Sequence, residues 1–420
     1  MKKRVLIVAA TTGYQTRMFA EAAERLGYQP VLATDRCHML EDPWGDSAIP
    51  VRFEKAEPSI RAVAAAAPLD GIVAVGDRPA LTAAHIAQGL GLRFSPPEAV
   101  QSARNKFLAR TRFRAAGLPV PVYECLDLEA DPSCAAHHTT YPCVLKPLGL
   151  SGSRGVIRAD NPAQFIAAFY RIRNILALPE IRRLQDEMDT RLQVESFIPG
   201  REFALEGILN AGRLHTLAIF DKPDPLEGPY FEETIYITPS RETPETQAAL
   251  EKAVQRAVTA LGLTEGPIHA EARINERGVW ILEVAPRPIG GLCAKALRFH
   301  SGIGLEELIL RHAVGLDVGH VEREHTASGV MMIPIPRAGV FQRAGRVEEA
   351  LQVPGVEEIV ITAKPGQQIV PLPEGGSYLG FIFARAPEPV AVERALRNAH
   401  QIIDFEILAS LAVTPGGSRG

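Results

Sequence analysis

Ile268-His269-Ala270-Glu271-Ala272-Arg273-Ile274, then Asn275-Glu276-Arg277-Gly278, then Val279-Trp280-Ile281-Leu282-Glu283-Val284: the reading of the whole chain turns on this stretch. Two apolar runs flank a short polar link ending in glycine, the pattern of two strands paired through a tight turn. Glu271 and Glu283 both lie mid-strand in apolar company, and the hairpin can set them side by side on one face. Two such carboxylates repel strongly unless a cation sits between them. Two carboxylates together with phosphate oxygens form a usual Mg²⁺ site. The plainer reading, two acids on a solvated sheet face, is disfavoured by the apolar flanks.

Pro286-Arg287-Pro288-Ile289-Gly290-Gly291 follows directly. A guanidinium four residues past Glu283 can hold a carboxylate or a forming acyl-phosphate through paired hydrogen bonds, and Gly290 and Gly291 can offer backbone amides to the same anion. Upstream, Cys143-Val144-Leu145-Lys146 reads as a strand with a lysine at its end, followed by Ser151-Gly152-Ser153-Arg154-Gly155. Amides of such a loop can close over phosphate oxygens, and Lys146 adds a fixed positive charge. The lysine precedes the glycines, unlike a Walker loop, so alone this is also the pattern of an ordinary turn. Glu195-Ser196-Phe197-Ile198 ends a strand at Pro199-Gly200. The strand end can present backbone groups to a purine edge, and Glu202, seven residues past Glu195, can reach ribose hydroxyls.

Around these motifs the chain divides into three. Val5–Val8, Pro30–Thr34 and Gly71–Val75 read as apolar strands, alternating with helices over Arg17–Leu26 and Ser59–Ala67. That alternation predicts a parallel sheet covered on both faces, closing near Pro97. Thr11-Thr12-Gly13-Tyr14 lacks the three-glycine dinucleotide fingerprint, so Asp35 reads as a turn residue and not as a ribose ligand. Residues 98–320 hold one helix over Glu98–Ala116, a lid-like part over about 120–190, a hairpin Glu202–Leu209/Arg213–Phe220 and a helix Thr246–Leu261. Residues 321–420 read as a small α+β domain with a helix over Val390–Ile402 and a frayed tail from Thr414.

With 420 residues, a net charge of −4 and 22% charged residues of both signs spread along the chain, no basic footprint for nucleic acid or membrane is present. Cys37, Cys125, Cys134, Cys143 and Cys293 show no metal or redox spacing, which predicts reduced thiols in a cytoplasmic protein. The opening Met1-Lys2-Lys3-Arg4 imitates a leader, but the apolar run after it is short and fits a first strand better.

Taken in order, the motifs resemble those of the ATP-grasp superfamily, over nearly the whole chain. The resemblance implies ATP and Mg²⁺ (or Mn²⁺) as cofactors and a pre-grasp, grasp and C-terminal domain order. It implies that Asn105-Lys106 carries an early phosphate lysine and that Lys146 is the second. Ser151, Gly152, Ser153 and Gly155 then form the mobile loop, Glu195, Ser196, Phe197 and Ile198 the adenine hinge, Glu202 the ribose acid, and Glu271 and Glu283 the metal carboxylates. Lys146–Val156, Phe220-Asp221-Lys222-Pro223 through Ser240, and Glu283–Gly291 are most similar to the L-amino acid ligases and carnosine-synthase-like enzymes. That branch joins a small carboxylate to an amine through an acyl-phosphate and is expected to form homodimers. Ala285 stands where many members have an asparagine two residues past the second metal acid, which puts a third metal ligand in doubt.

The expected mechanism gives Arg287, Lys146, Gly290 and Gly291 catalytic positions. Lys222, Glu232 and Glu233, on the loop Phe220–Ser240, are candidates for amine and side-chain recognition, against a plain surface loop. His269 reads as a hydrogen-bonded structural histidine more readily than as a substrate-facing base. A bicarbonate-activating carboxylase and a non-catalytic nucleotide-binding protein remain as alternatives.

Overall fold

The computed structural model describes residues 2–10, 13–35, 48–66 and 68–409. Thr11, Thr12, Cys37, Ala67 and the tail from Thr414 lie outside the described residues. No helix among the described residues is long and apolar enough to cross a membrane.

Near the N-terminus the sheet runs Ile49–Pro50, Gln29–Thr34, Arg4–Ala9, Gly71–Val75, with every neighbour parallel. Val5, Ile7 and Ala9 enter one apolar core and Leu6 and Val8 another, so the central strand is buried on both faces, as its unbroken apolar run requires. One covering helix, Leu305–Ala313, comes from far downstream in the chain. Gly71 lets it approach: a Cβ there would lie 2.7 Å from the Ala313 carbonyl oxygen. Asp35 ends its strand ion-paired to Arg78 at 2.7 Å.

The helix read over Glu98–Ala116 is two helices, Pro97–Arg104 and Lys106–Ala115. Asn105 between them is extended, and its side chain accepts from the N–H groups of Phe107 and Leu108. Asparagine competes for local backbone donors, so it starts a second helix where periodicity alone suggests continuation. Lys106 thereby sits on the first turn of a helix, aimed from a fixed point.

A four-stranded antiparallel sheet follows: Tyr123–Asp127, Arg191–Ser196, Cys143–Pro147, Ile157–Ala159. Pro162–Leu176 backs it through Phe165, Phe169 and Ile172. The largest sheet has eight strands, all neighbours antiparallel: Gly278–Ala285, Gly266–Asn275, Arg201–Asn210, Arg213–Asp221, Ile235–Thr238, Ala327–Ile333, Gly380–Ala386, Val356–Ile361. Its last three strands come from beyond residue 320, so the C-terminal region continues this sheet and adds the helix Pro389–Ile402 and a small three-stranded sheet. Cys125, Cys134, Cys143 and Cys293 are free thiols.

Where the lid sheet meets the N-terminal region, Arg104 pairs with Asp186 at 3.2 Å. Burial, and then the Asp186 carboxylate, push the Asp189 carboxyl from 3.8 up to about 6. An acid whose folded pKa is raised weakens the fold once it ionises, so this effect grows as pH rises from 4 through 6 and persists above. Asp189→Asn is therefore expected to melt about 1–3 °C above the wild type at pH 8 and to coincide with it below pH 4. Thermal scans at the two pH values would show this, and an equal offset at both would refute it.

Candidate active site

One cavity of about 390 Å³ lies where the three regions meet. Lys106, Lys146, Ser151, Gly152, Ser153, Glu195, Phe197, Ile198, Glu202, Glu233, His269, Glu271, Glu283, Arg287, Gly290 and Gly291 all line it. Among the expected site residues, Gly155, Ser196, Lys222 and Glu232 do not.

At one end the lid strands carry Lys146 and Glu195, which are ion-paired. Glu195 also receives Arg110 Nε at 3.0 Å and Gln193 Nε2 at 2.8 Å, and its side chain is 2% exposed. Burial would push this carboxyl up, but Arg110 and then Lys146 outweigh it and hold it at about 2. Burial pushes the Lys146 ammonium down against the pull of Glu195. Glu195 is thus an internal counter-ion that fixes Lys146. Ser196 accepts at its hydroxyl from the Val122 N–H at 3.1 Å. The Arg158 and Arg273 guanidinium groups both lie over the Phe197 ring, 4.5 and 5.0 Å from its centre.

The loop after Lys146 turns through Gly152 and Ser153, both at positive φ, and is met from below by Lys106, whose Nζ donates to the Leu150 carbonyl at 2.8 Å. Gly155 is the loop's anchor. Its φ is +72°, a Cβ would lie 2.7 Å from the Pro147 ring, and its N–H donates to the Pro373 carbonyl at 2.9 Å.

In the hairpin Gly266–Asn275/Gly278–Ala285, Glu271 and Glu283 are register partners, with an irregularity just after Glu271. Lys106 Nζ stands 3.8 Å from Glu283. Glu271 belongs to a second group as well. Lys222 Nζ donates to Glu202 at 2.8 Å, to Glu271 at 3.0 Å and to Glu233, with its side chain 3% exposed. Burial works against charge on Lys222, but the three carboxylates outweigh it and hold its pKa well above the usual lysine range. Burial and the neighbouring Glu271 push the Glu233 carboxyl up to about 7. Glu202, Glu233 and Glu271 each bring an oxygen within 4.8 Å of the others, as metal ligands do, yet an internal ammonium is bonded to all three.

Lys222, just past the end of the strand Arg213–Asp221, therefore does not present its charge to a substrate from a surface loop; it is buried and neutralises three acids. Glu232 likewise does not line the cavity, and burial pushes its carboxyl up. Arg273 holds the other oxygen of Glu202 at 2.9 Å, so both oxygens of that acid have cationic partners. His269 bridges Glu206 and Glu271, 3.3 Å from the latter, with both ring nitrogens engaged. Burial lowers its pKa, but Glu206 and then Glu271 outweigh this and raise it to about 9.

At the opposite end Arg287 Nε donates to Asp77 Oδ1 at 2.8 Å, and Nη1 donates to the Pro288 carbonyl at 3.0 Å. Gly291 has φ +63°, and a Cβ there would lie 2.9 Å from Phe381, so glycine admits the C-terminal strand to this wall. Sequence reasoning missed Asp77, Arg110, Glu206, Tyr236 and Arg273. Their only local signal is polarity in apolar context, as in Ala204-Leu205-Glu206-Gly207-Ile208 and in the turn Gly76-Asp77 after a buried strand.

Family models place an ATP-grasp domain at residues 139–296 and the second type of L-amino acid ligase C-terminal domain at 331–407. The crystal structure of the L-amino acid ligase from Bacillus licheniformis superposes with a TM-score of 0.79 at 25% identity, covering 97% of this chain and 99% of that one. An uncharacterized protein, y4rH of Sinorhizobium fredii, is 25% identical over 96% of this chain and 83% of its own length. Human carnosine synthase 1 is 29% identical over 53% of this chain, and the match takes in 28% of that longer protein.

The chain thus carries an ATP-grasp domain, and proteins with that domain generally bind ATP with a divalent metal. Its C-terminal region is that of the L-amino acid ligases, and its ligase homologues support ATP-dependent joining of a carboxylate to an amine.

Proposed function

We propose that the chain uses Mg-ATP to phosphorylate the carboxylate of an amino acid and then passes the acyl group to the amine of a second amino acid or similar small molecule. The support is a convergence: two lysines, an arginine and two carboxylates from separate parts of the chain line one cavity. Phosphoryl transfer needs mainly positioning and charge neutralisation, which such a set supplies.

In this reading the backbone of Ser196 to Ile198 receives adenine, and Lys146, fixed by Glu195, meets the phosphates. Lys106 and the loop Ser151–Gly155 cover them. Glu271 and Glu283 are facing hard oxygen donors in partly apolar surroundings, a donor set that suits Mg²⁺ better than a softer metal. The ion, when bound, would screen charge on the phosphates as the γ-phosphoryl moves. Ala285 adds no ligand. His269 orients Glu271, and the Lys222 ammonium keeps Glu202, Glu233 and Glu271 from repelling one another. Arg287, braced by Asp77, and the Gly290 and Gly291 amides orient the carboxylate under attack. Closure of the loop excludes water, which would otherwise hydrolyse the acyl-phosphate.

Glu283→Gln keeps the shape of this ligand and removes its charge. The divalent cation needed for half-maximal turnover is expected to rise about tenfold or more, a scale seen when metal sites lose a supporting interaction. A metal titration of ADP release would read this, and an unchanged midpoint would remove Glu283 from the metal site. The reaction itself is tested by ADP release with Mg-ATP over amino acids and other small carboxylates, singly and in pairs, with hydroxylamine present. A hydroxamate from one acid identifies the electrophile, and the productive pair identifies the amine. ADP release with bicarbonate alone would replace this reading with carboxylation.

A further inference from the structure

A short segment of the C-terminal region, Pro371 to Tyr378, reaches back over the lid. Gly375 permits the turn: its N–H donates to the Pro371 carbonyl at 2.9 Å, and a Cβ there would lie 1.8 Å from the Val370 carbonyl oxygen. The turn sets Pro373 and Glu374 against the phosphate-side loop. Gly155 N–H donates to the Pro373 carbonyl at 2.9 Å, and Arg154 Nε donates to the Glu374 carbonyl at 2.7 Å. The Glu374 carboxylate takes both arms of Arg171, Nε at 2.6 Å and Nη2 at 2.9 Å. Arg171 lies on Pro162–Leu176, the helix behind the lid sheet, and its remaining nitrogen bonds the Tyr230 hydroxyl, three residues before Glu233. Just beyond the turn, Gly376, Ser377 and Tyr378 line the same cavity as Ser151 to Ser153.

We propose that Glu374 is a positioning residue for the loop Ser151–Gly155, tying that loop and its supporting helix to the C-terminal region, so that the cover over the reaction closes only when both are docked. The inference rests on the reading of Ser151–Gly155 as the cover over ATP phosphates. Arg171 and Glu374 are 42% and 36% exposed, and an ion pair so exposed adds little to global stability. Its consequence is orientation. A bidentate guanidinium–carboxylate pair fixes two planes relative to each other, while its small energy leaves opening reversible for substrate entry. The C-terminal region thereby acts on catalysis through the loop, without supplying a reacting group.

Trypsin reports on this directly, because the bond after Arg154 lies in the loop. In the full chain, Mg-ATP is expected to slow cleavage after Arg154 about tenfold. In Glu374→Ala the protection is expected to fall below about twofold while cleavage elsewhere and the melting temperature stay at wild-type values, as for a local opening. The double variant Arg171→Glu with Glu374→Arg restores the pair and is expected to recover most of the protection. Equal protection in Glu374→Ala and wild type overturns the proposal, as does a general rise in cleavage at all sites, which marks a merely structural contact. A wild type that Mg-ATP stabilises against heat but does not protect at Arg154 also overturns it and leaves the nucleotide site standing. If Mg-ATP neither stabilises nor protects the wild type, the reading of the nucleotide site fails and the positioning role falls with it.

Discussion

Lys222→Met should unfold at markedly lower temperature than the wild type, and its ligation should fall by two orders of magnitude or more. The ammonium is the shared partner of Glu202, Glu233 and Glu271, and its side chain is 3% exposed. Removing one member of a buried ion group costs about 3–5 kcal/mol, because the three acids lose the one cation they share, though Arg273 and His269 still hold Glu202 and Glu271. Methionine fills the volume and supplies no charge, so cavity formation is not the cause. The three carboxylate oxygens, all within 4.8 Å of one another, then resemble an open cation site. Mn²⁺ is accordingly expected to raise the melting temperature of Lys222→Met more than that of the wild type. Thermal scans with and without Mn²⁺ would reveal both effects. A variant that melts with the wild type would show that the ammonium does not hold these acids together.

Arg287→Ala is expected to reduce kcat/KM for the carboxylate substrate by about 10²–10³, the usual loss when one fixed donor to a developing anion is removed. Burial works against the charge of Arg287, yet Asp77 outweighs it and holds the guanidinium firmly ionised. Arg287→Lys should recover little, since a single ammonium cannot keep the bond to Asp77 and present a second arm to the substrate. Asp77→Asn should act more mildly and mainly through KM, because it loosens the brace and leaves the guanidinium in place. Hydroxamate formation on each variant separates these cases. Normal hydroxamate yield from Arg287→Ala would take this residue out of the mechanism.

Much of the fold could be read locally because its elements carry their own signals. The hairpin Gly266–Asn275/Gly278–Ala285 and the helices Pro244–Leu261 and Pro389–Ile402 lie within a few residues of where periodicity and turn chemistry put them. Asn105 was the local exception, where a side-chain cap overrode helical periodicity. The sharing of one sheet between the grasp and C-terminal regions had no local signal, since Ala327–Ile333 reads as a buried strand whichever sheet it joins. The covering of Gly71 by Leu305–Ala313 was equally invisible for want of any sequence proximity.

The candidate site divides along the same line. The sequence alone marked the residues proposed to bear its chemistry: Lys146, Glu271, Glu283 and Arg287 stand at a strand end and on or just past a hairpin, positions that spacing and polarity mark, while Lys106 was singled out by resemblance and its place at a helix start came from the structure. The tertiary structure alone decided who partners whom. Arg110 holds Glu195 from 85 residues away, Asp77 braces Arg287 from 210 and Glu374 grips Arg171 from 203. Lys222, which reads locally as a charge on a loop, becomes the internal cation of three acids. The reason is physical: a side chain's type and its element follow from neighbours a few residues away, but its ionisation and its role depend on the charges and the burial that long-range packing brings to it.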